Sequence, residues 1–424
     1  MLGHAGALRS PVNAADGQEC LPMPQRTSMR SRPRIVIVGG NFAGLAAARH
    51  FDRHHAVTVI DRAPSFEWLP NIHELLSGVK RPADLRLPLR RLVTRAGHRF
   101  IRAEVAEIDA RAGRLVTVEG REYGFDACIV AVGGINDTFG VKGADRHSMS
   151  FKSVADCAAI GRRLASLARC PGERSVVIVG GGLEGIEALG EILRRYGRGG
   201  LLQLSVVEAG DRLLAGAPPA LDAAVRARSA AYGVRFCTGS PVTAVTGKHV
   251  RLSSGERLRS DLTIWTGGVT ASPLLRESGL ANKSGGWAPV TPALQSKRFE
   301  NLFVAGDAAE LPAPLPKQAY FALQMGVCAA DNARRWLDGR AVRAFRPAPK
   351  PMLVAFGDLD TFLVRSGSVI ASPALAVLKE AVFQFTMAEI DPPLDPSALR
   401  DLKARLRSTA GNLALPTLAS LLRW

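Results

Sequence analysis

The chain has 424 residues, 47% hydrophobic and 22% charged, enough for two or three domains with cores of their own. Lysine and arginine outnumber aspartate and glutamate by 55 to 38, and the resulting +17 favours anionic contacts: lipid headgroups, nucleic acid or phosphorylated ligands. Six scattered cysteines without a Cys-x-x-Cys pair argue against a zinc site or a disulfide framework, and no run reaches the roughly 18 to 20 apolar residues that spanning a bilayer requires.

The cysteine usage suggests a reducing, cytoplasmic setting. The first thirty residues lack the apolar stretch of a signal peptide and read as a disordered leader over 1–32, with Met23 and Met29 as alternative starts. "RIVIVGG" then gives a short β-branched run of the buried parallel type, followed by the Ala- and Leu-rich helical stretch "FAGLAAARHFDRH". "AVTVIDR" supplies a second strand ending on Asp61, near the distance at which an acidic residue accepts hydrogen bonds from a ribose. The turn carries Gly39 and Gly44 but Asn41 at the middle position, where a backbone presses against a pyrophosphate. Asn tolerates left-handed backbone angles and offers an amide to a phosphate oxygen, so the turn is expected to remain a cofactor site.

"SVVIVGGGLEGIEALGEIL" repeats the plan with Gly180, Gly182 and Gly185 between a buried strand and a helix. "LQLSVVEAGDRLL" closes the second βαβ unit with Glu208, whose charge would repel a 2′-phosphate and so favours NADH, while nearby Arg212 keeps NADPH open. Two such units imply an α/β fold with two Rossmann-like dinucleotide-binding domains. Further on, "ENLFVAGDAAEL" reads as a strand ending at Gly306-Asp307 before the helix "KQAYFALQMGVCAADNARRWL", and "ACIVAVGG" and "LTIWTGG" as further strands entering glycine turns.

In this order the elements resemble the two-dinucleotide-binding-domain flavoproteins, the pyridine-nucleotide-disulfide-reductase superfold, over about residues 34 to 345. Within it "VAVGGINDTFGV", "GGLEGIEALGEI" and "TIWTGGVTASPLL" are similar to segments of type II NADH dehydrogenases, the NADH:quinone oxidoreductases of membrane surfaces. The resemblance implies FAD held by Gly39, Asn41, Gly44, Asp61, Gly133, Gly306 and Asp307, and NADH held by Gly180, Gly182, Gly185, Glu208 and Gly267. It also implies that Glu187 stands beside the flavin and nicotinamide, handling a proton or positioning the nicotinamide. Where family members carry Ala-Gln-x-Ala-x-Gln-Gln-Gly against the quinone, this chain has "AYFALQMG": Tyr320 and Met325 replace two glutamines and Gln324 remains. "PKQAY" is similar to apoptosis-inducing-factor-like and ferroptosis-suppressor quinone reductases, which implies that Lys317 stabilises anionic reduced flavin. Lys317 is equally readable as a solvated lysine at a helix start.

The implied domains are an FAD-binding domain over 33–150 and 289–345, an inserted NADH-binding domain over 151–288, and a C-terminal α+β region over 346–424 for membrane association or dimerisation. In that last region "MLVAFGDLDTFLVRSGSVI" reads as a hairpin of strands and "SPALAVLKEAVFQFTMAEI" as a helix. The tail places Leu399, Leu402 and Leu406 on one stripe beside Arg400, Lys403 and Arg407 and ends on Trp424, a pattern suited to an interfacial helix. No cysteine lies between Gly44 and Cys128, which argues against disulfide reduction; all six read as core or surface residues, Cys157 alone being held open. The expected protein is thus an FAD-dependent NADH:quinone oxidoreductase, peripheral on the anionic inner face of the cell membrane. A reductase of a soluble ferredoxin- or rubredoxin-type carrier and a nucleic-acid-binding flavoprotein are the alternatives. The basic residues lack the aromatic interleaving of the latter, so no nucleic acid is expected.

Overall fold

The structure is a computed structural model and describes residues 32–392 apart from 201, 282–285, 349 and 366, together with 397 and 400. The leader up to residue 31 and the stripe beginning at Leu399 lie outside the described residues. The elements that build the two main sheets and frame the site begin, in chain order, with β1 (Arg34–Val38), α1 (Phe42–His50), β2 (Ala56–Asp61), α2 (Glu74–Ser77), β3 (Arg99–Arg102), β4 (Ala127–Val130), β5 (Gly134–Asn136) and β6 (Met149–Ser150). Then come α3 (Val154–Leu167), β7 (Arg174–Val179), α4 (Leu183–Tyr196), β8 (Leu202–Val207), β9 (Arg235–Cys237), β10 (Leu262–Trp265) and β11 (Val269–Ala271). The last are β12 (Leu302–Val304), α5 (Ala319–Leu337), β13 (Met352–Phe356), β14 (Asp360–Arg365), β15 (Ser368–Ala371) and α6 (Leu375–Ile390).

Two parallel sheets result. The first has the order β12-β4-β1-β2-β3, the second β6-β10-β7-β8-β9. All of the second sheet falls between β4 and β12 in sequence, so the chain leaves the first sheet, completes the second and returns. β5 and β11 pair antiparallel on the outward and return paths. The central strands are covered on both faces, which is why β1 and β7 read as continuous apolar runs without alternation.

Small residues let the helices approach closely. A Cβ on Gly326 of α5 would strike the backbone of Ala43, so α5 lies directly against the Ala-rich α1. Gly190 of α4 is likewise pressed on the backbone of Phe356 and Gly357, which seats the antiparallel sheet β13-β14-β15 on α4. The stretch expected as a hairpin therefore forms three strands, turning at Gly357 and Gly367, both at positive φ. Beyond it α6 docks on the body of the chain. Phe383 packs 6.0 Å from the Trp68 ring, Lys80 bridges Glu74 (3.2 Å) and Glu380 (2.7 Å), and Asp391 pairs with Arg91 and Arg95. Among the described residues no helix is long and apolar enough to cross a membrane.

Candidate active site

The two glycine turns share one geometry. Gly39 and Gly180 sit at φ +98° and +109°, where a side chain is strained, and a Cβ on either would strike the neighbouring strand's turn, at Ala131 or at Thr266 and Gly267. Gly44 and Gly185, in the first turn of α1 and α4, are each pressed against the carbonyl of the first glycine of their own turn. Each unit also ends on a carboxylate that ties its turn together. Asp61 accepts from Gly40 N (2.6 Å) and Ala63 N (2.7 Å), and Glu208 accepts from Gly181 N (2.6 Å) and Gly210 N (2.8 Å). Burial raises the pKa of Asp61 above the usual carboxylate range, against the pull of those two N–H groups.

Asn41 corrects the sequence argument in its reason. Its backbone is extended, φ −85° and ψ −154°, so tolerance of left-handed angles plays no part. Gly182 is also at an ordinary φ of −75°, and a Cβ there would meet nothing within 4 Å. The middle position is thus free of backbone demands in both units. The Asn41 side chain is held by its Oδ1, which accepts from Glu67 N at 3.3 Å.

One cavity of about 740 Å³ gathers most of the expected flavin-side residues. Gly39, Asn41, Asp61, Gly133, Gly306, Asp307, Lys317 and Tyr320 line it, together with Glu187 of α4. Gly306 turns at φ +71° against Ala43 and Ala322, so the strand β12 delivers Asp307 to the cavity beside the start of α1. Lys317 donates to the Asp307 carbonyl (2.5 Å) and its ammonium stands 3.4 Å over the Trp287 ring. Lys350 lies 4.7 Å over the Tyr320 ring, its pKa drawn down to about 8 by burial. Gln324 lies off this wall, its Oε1 accepting from Ala348 N at 2.9 Å, and Met325 points into the core. Gly44, Gly180, Gly182, Gly185, Glu208 and Gly267 also lie outside the cavity wall, the last five at the second turn.

Glu187 is buried with unexpected company. Its Oε1 accepts from Lys379 Nζ (2.6 Å) and Ala355 N (3.1 Å), while Oε2 lies 3.4 Å from His73 Nδ1. Burial raises its pKa, opposed chiefly by Lys379. Sequence reasoning missed His73 and Lys379, and also Lys152 and Glu184, which line the same cavity and stand 4.0 Å apart. The available signal was "LKEAVFQF", a charged pair inside an otherwise apolar helix. Cys128 and Cys157 are buried in the core with thiol pKa values pushed up by burial, and neither lines the cavity.

These residues fit two dinucleotides. The turns leave a helix N-terminus with free N–H groups for each pyrophosphate, and each sheet ends in a carboxylate for a ribose. FAD would be held by Gly39, Asn41, Asp61, Gly306 and Asp307, and a nicotinamide dinucleotide by the turn at Gly180 with Glu208.

The pyridine nucleotide-disulphide oxidoreductase family model matches residues 33–326. The chain is 28% identical over 374 residues to the demethylphylloquinone reductase NdbB of Synechocystis sp., covering 84% of this chain and 92% of that one. It is 26% identical over 387 residues to the type II NADH:quinone oxidoreductase of Staphylococcus aureus, covering 83% and 94%. The structure of NDH2 from Plasmodium falciparum in complex with NADH superposes with a TM-score of 0.77 at 14% identity, covering 84% and 95%. With two dinucleotide turns on two parallel sheets and a match over most of its length, the chain belongs to the pyridine nucleotide-disulphide oxidoreductase family and is a flavin- and NAD(P)H-dependent oxidoreductase.

Proposed function

We propose that the protein transfers electrons from NADH through FAD to a quinone at an anionic membrane surface. The observation that carries the reading is the composition of the cavity wall. The first sheet contributes Gly39 and Asp307, α4 of the second unit contributes Glu184 and Glu187, and the C-terminal region contributes Met352, Lys379 and Phe383. A donor ring and an acceptor ring thus have access to the same space from different elements. Bound FAD supplies a two-electron carrier between hydride donor and acceptor. The chain's part is to orient the rings, exclude water and hold protons near them. Two relatives named as quinone reductases support the acceptor class.

NADH is the favoured donor. Glu208 accepts a backbone N–H on each carboxylate oxygen and is thereby fixed at the second turn, where a carboxylate disfavours a 2′-phosphate. The Arg212 guanidinium, which could have met a 2′-phosphate, donates instead to the carbonyls of Leu214 (3.3 Å), Ala215 (2.6 Å) and Ala217 (2.8 Å). The membrane assignment rests on the +17 charge and on the lipid character of quinones, each basic residue near an anionic surface being worth about 1 kcal/mol.

An anaerobic visible spectrum tests the reading. NADH should bleach a flavin band, NADPH should do so at least about tenfold less efficiently, and a water-soluble quinone should restore it. Restoration by a ferredoxin but not by quinone would transfer the acceptor role to a protein carrier; no flavin after reconstitution would end the redox reading.

A further inference from the structure

We propose that His73 holds the Lys379 ammonium against Glu187, closing a three-residue unit whose lysine supplies the second proton of acceptor reduction. The inference rests on the quinone reading above and adds to it a positioning residue and a proton donor.

His73 is 2% exposed and immediately precedes α2. Its Nε2 lies 3.3 Å from Lys379 Nζ, its Nδ1 lies 3.4 Å from Glu187 Oε2, and Lys379 Nζ reaches Glu187 Oε1 at 2.6 Å. An ammonium can only donate, so His73 accepts from Lys379 on Nε2 and, as a neutral imidazole, carries its own proton on Nδ1, the nitrogen that faces the carboxylate at 3.4 Å. Burial, with Lys379 and Lys80 nearby, keeps the imidazole neutral, and an imidazolium would have no lone pair to offer.

The groups around this unit are already paired. On the α2 side, Lys80 is bound by Glu74 and by Glu380 of α6; on α4, Glu191 accepts from Ser77 Oγ and lies 3.5 Å from Arg194. Glu187 and Lys379 line the cavity, whereas His73 stands behind them. An ammonium has three hydrogens, and two of them are committed to Glu187 and His73. Fixing those two aims the third, and that aim is what His73 contributes.

The need for a proton follows from the balance of the reaction. Quinone becomes quinol by taking two electrons and two protons, and the hydride of NADH carries two electrons and one proton. The other proton leaves Lys379 Nζ for a quinone oxygen: an N–H bond breaks, an O–H bond forms, and the amine is reprotonated from solvent.

Ferricyanide takes electrons without protons, so the ratio of quinone to ferricyanide turnover isolates this step. His73→Phe should lower that ratio by about tenfold, within the range of acid–base effects. His73→Gln, which can still accept from Lys379, should keep it within about threefold. A ratio unchanged in His73→Phe overturns the proposal and leaves the quinone reading standing. Wild-type protein bleached by NADH but not restored by quinone removes the quinone reading, and the proposal with it. A readout independent of turnover is the nitrogen NMR signal of histidine-labelled protein, with His73 identified by its loss in His73→Phe. A neutral Nδ1–H tautomer should persist at neutral pH; an Nε2–H tautomer or an imidazolium would overturn the assignment.

Discussion

The two dinucleotide turns share their first and third glycines and part at the middle position, Asn41 in one and Gly182 in the other. Both first glycines need positive φ, both third glycines lie on a carbonyl of their own turn, and both carboxylates collect two backbone N–H groups. Asn41 and Gly182 both have ordinary extended backbones. The comparison separates two demands that a glycine pattern merges: the first and third glycines serve the fold, and the middle one serves only the ligand.

The largest effects should come where the fold itself demands glycine. Gly44→Ala and Gly185→Ala each drive a Cβ into a backbone carbonyl that cannot move without opening the turn. We expect each to cost about 3 kcal/mol in thermal unfolding. Gly44→Ala should purify with little flavin, while Gly185→Ala keeps its flavin but is no longer bleached by NADH. Full flavin content in Gly44→Ala would refute the close-approach argument. Asp61→Asn and Glu208→Gln come next. An amide replaces one accepting oxygen with a donor that faces an N–H, a loss of about 1.5 to 3 kcal/mol for a charged hydrogen bond. Flavin affinity in Asp61→Asn and KM for NADH in Glu208→Gln should each worsen by about tenfold. An effect of Asp61→Asn on NADH rather than on flavin would break the assignment of one cofactor to each unit.

The parallel strands and the glycine turns were legible in the sequence because their causes are local: β-branched runs, positive φ and a helix start within a few residues. Glu187 could be singled out by resemblance, but what it does could not be read from the chain. Its partner Lys379 is 192 residues away, and Lys379 is 306 residues from His73. They meet because Gly190 admits the backbone of Phe356 and Gly357 and because Phe383 packs on Trp68, and such contacts leave no periodic trace. Asn41 was expected to be tolerated for its amide and for its ease in left-handed angles, and its φ of −85° removes the second reason.

The smallest expected effects belong to the middle position, and exchanging its residues sharpens the comparison. Asn41→Gly relieves no strain, gives up the acceptor for Glu67 N and adds freedom to the unfolded chain, so it should lose about 0.5 to 1 kcal/mol of stability. Its flavin content should not change. Gly182→Asn meets open space and an ordinary φ, so the melting curve should stay within about 0.5 kcal/mol of wild type. That open space is where a pyrophosphate would approach the backbone, and a Cβ at Gly182 has no neighbour within 4 Å to hold the new side chain aside. KM for NADH should therefore rise about fivefold, a little under 1 kcal/mol. If NADH binding is untouched, the two turns are interchangeable at this position. If it weakens while Asn41→Gly keeps its flavin, the first turn accepts asparagine because Glu67 N fixes the side chain.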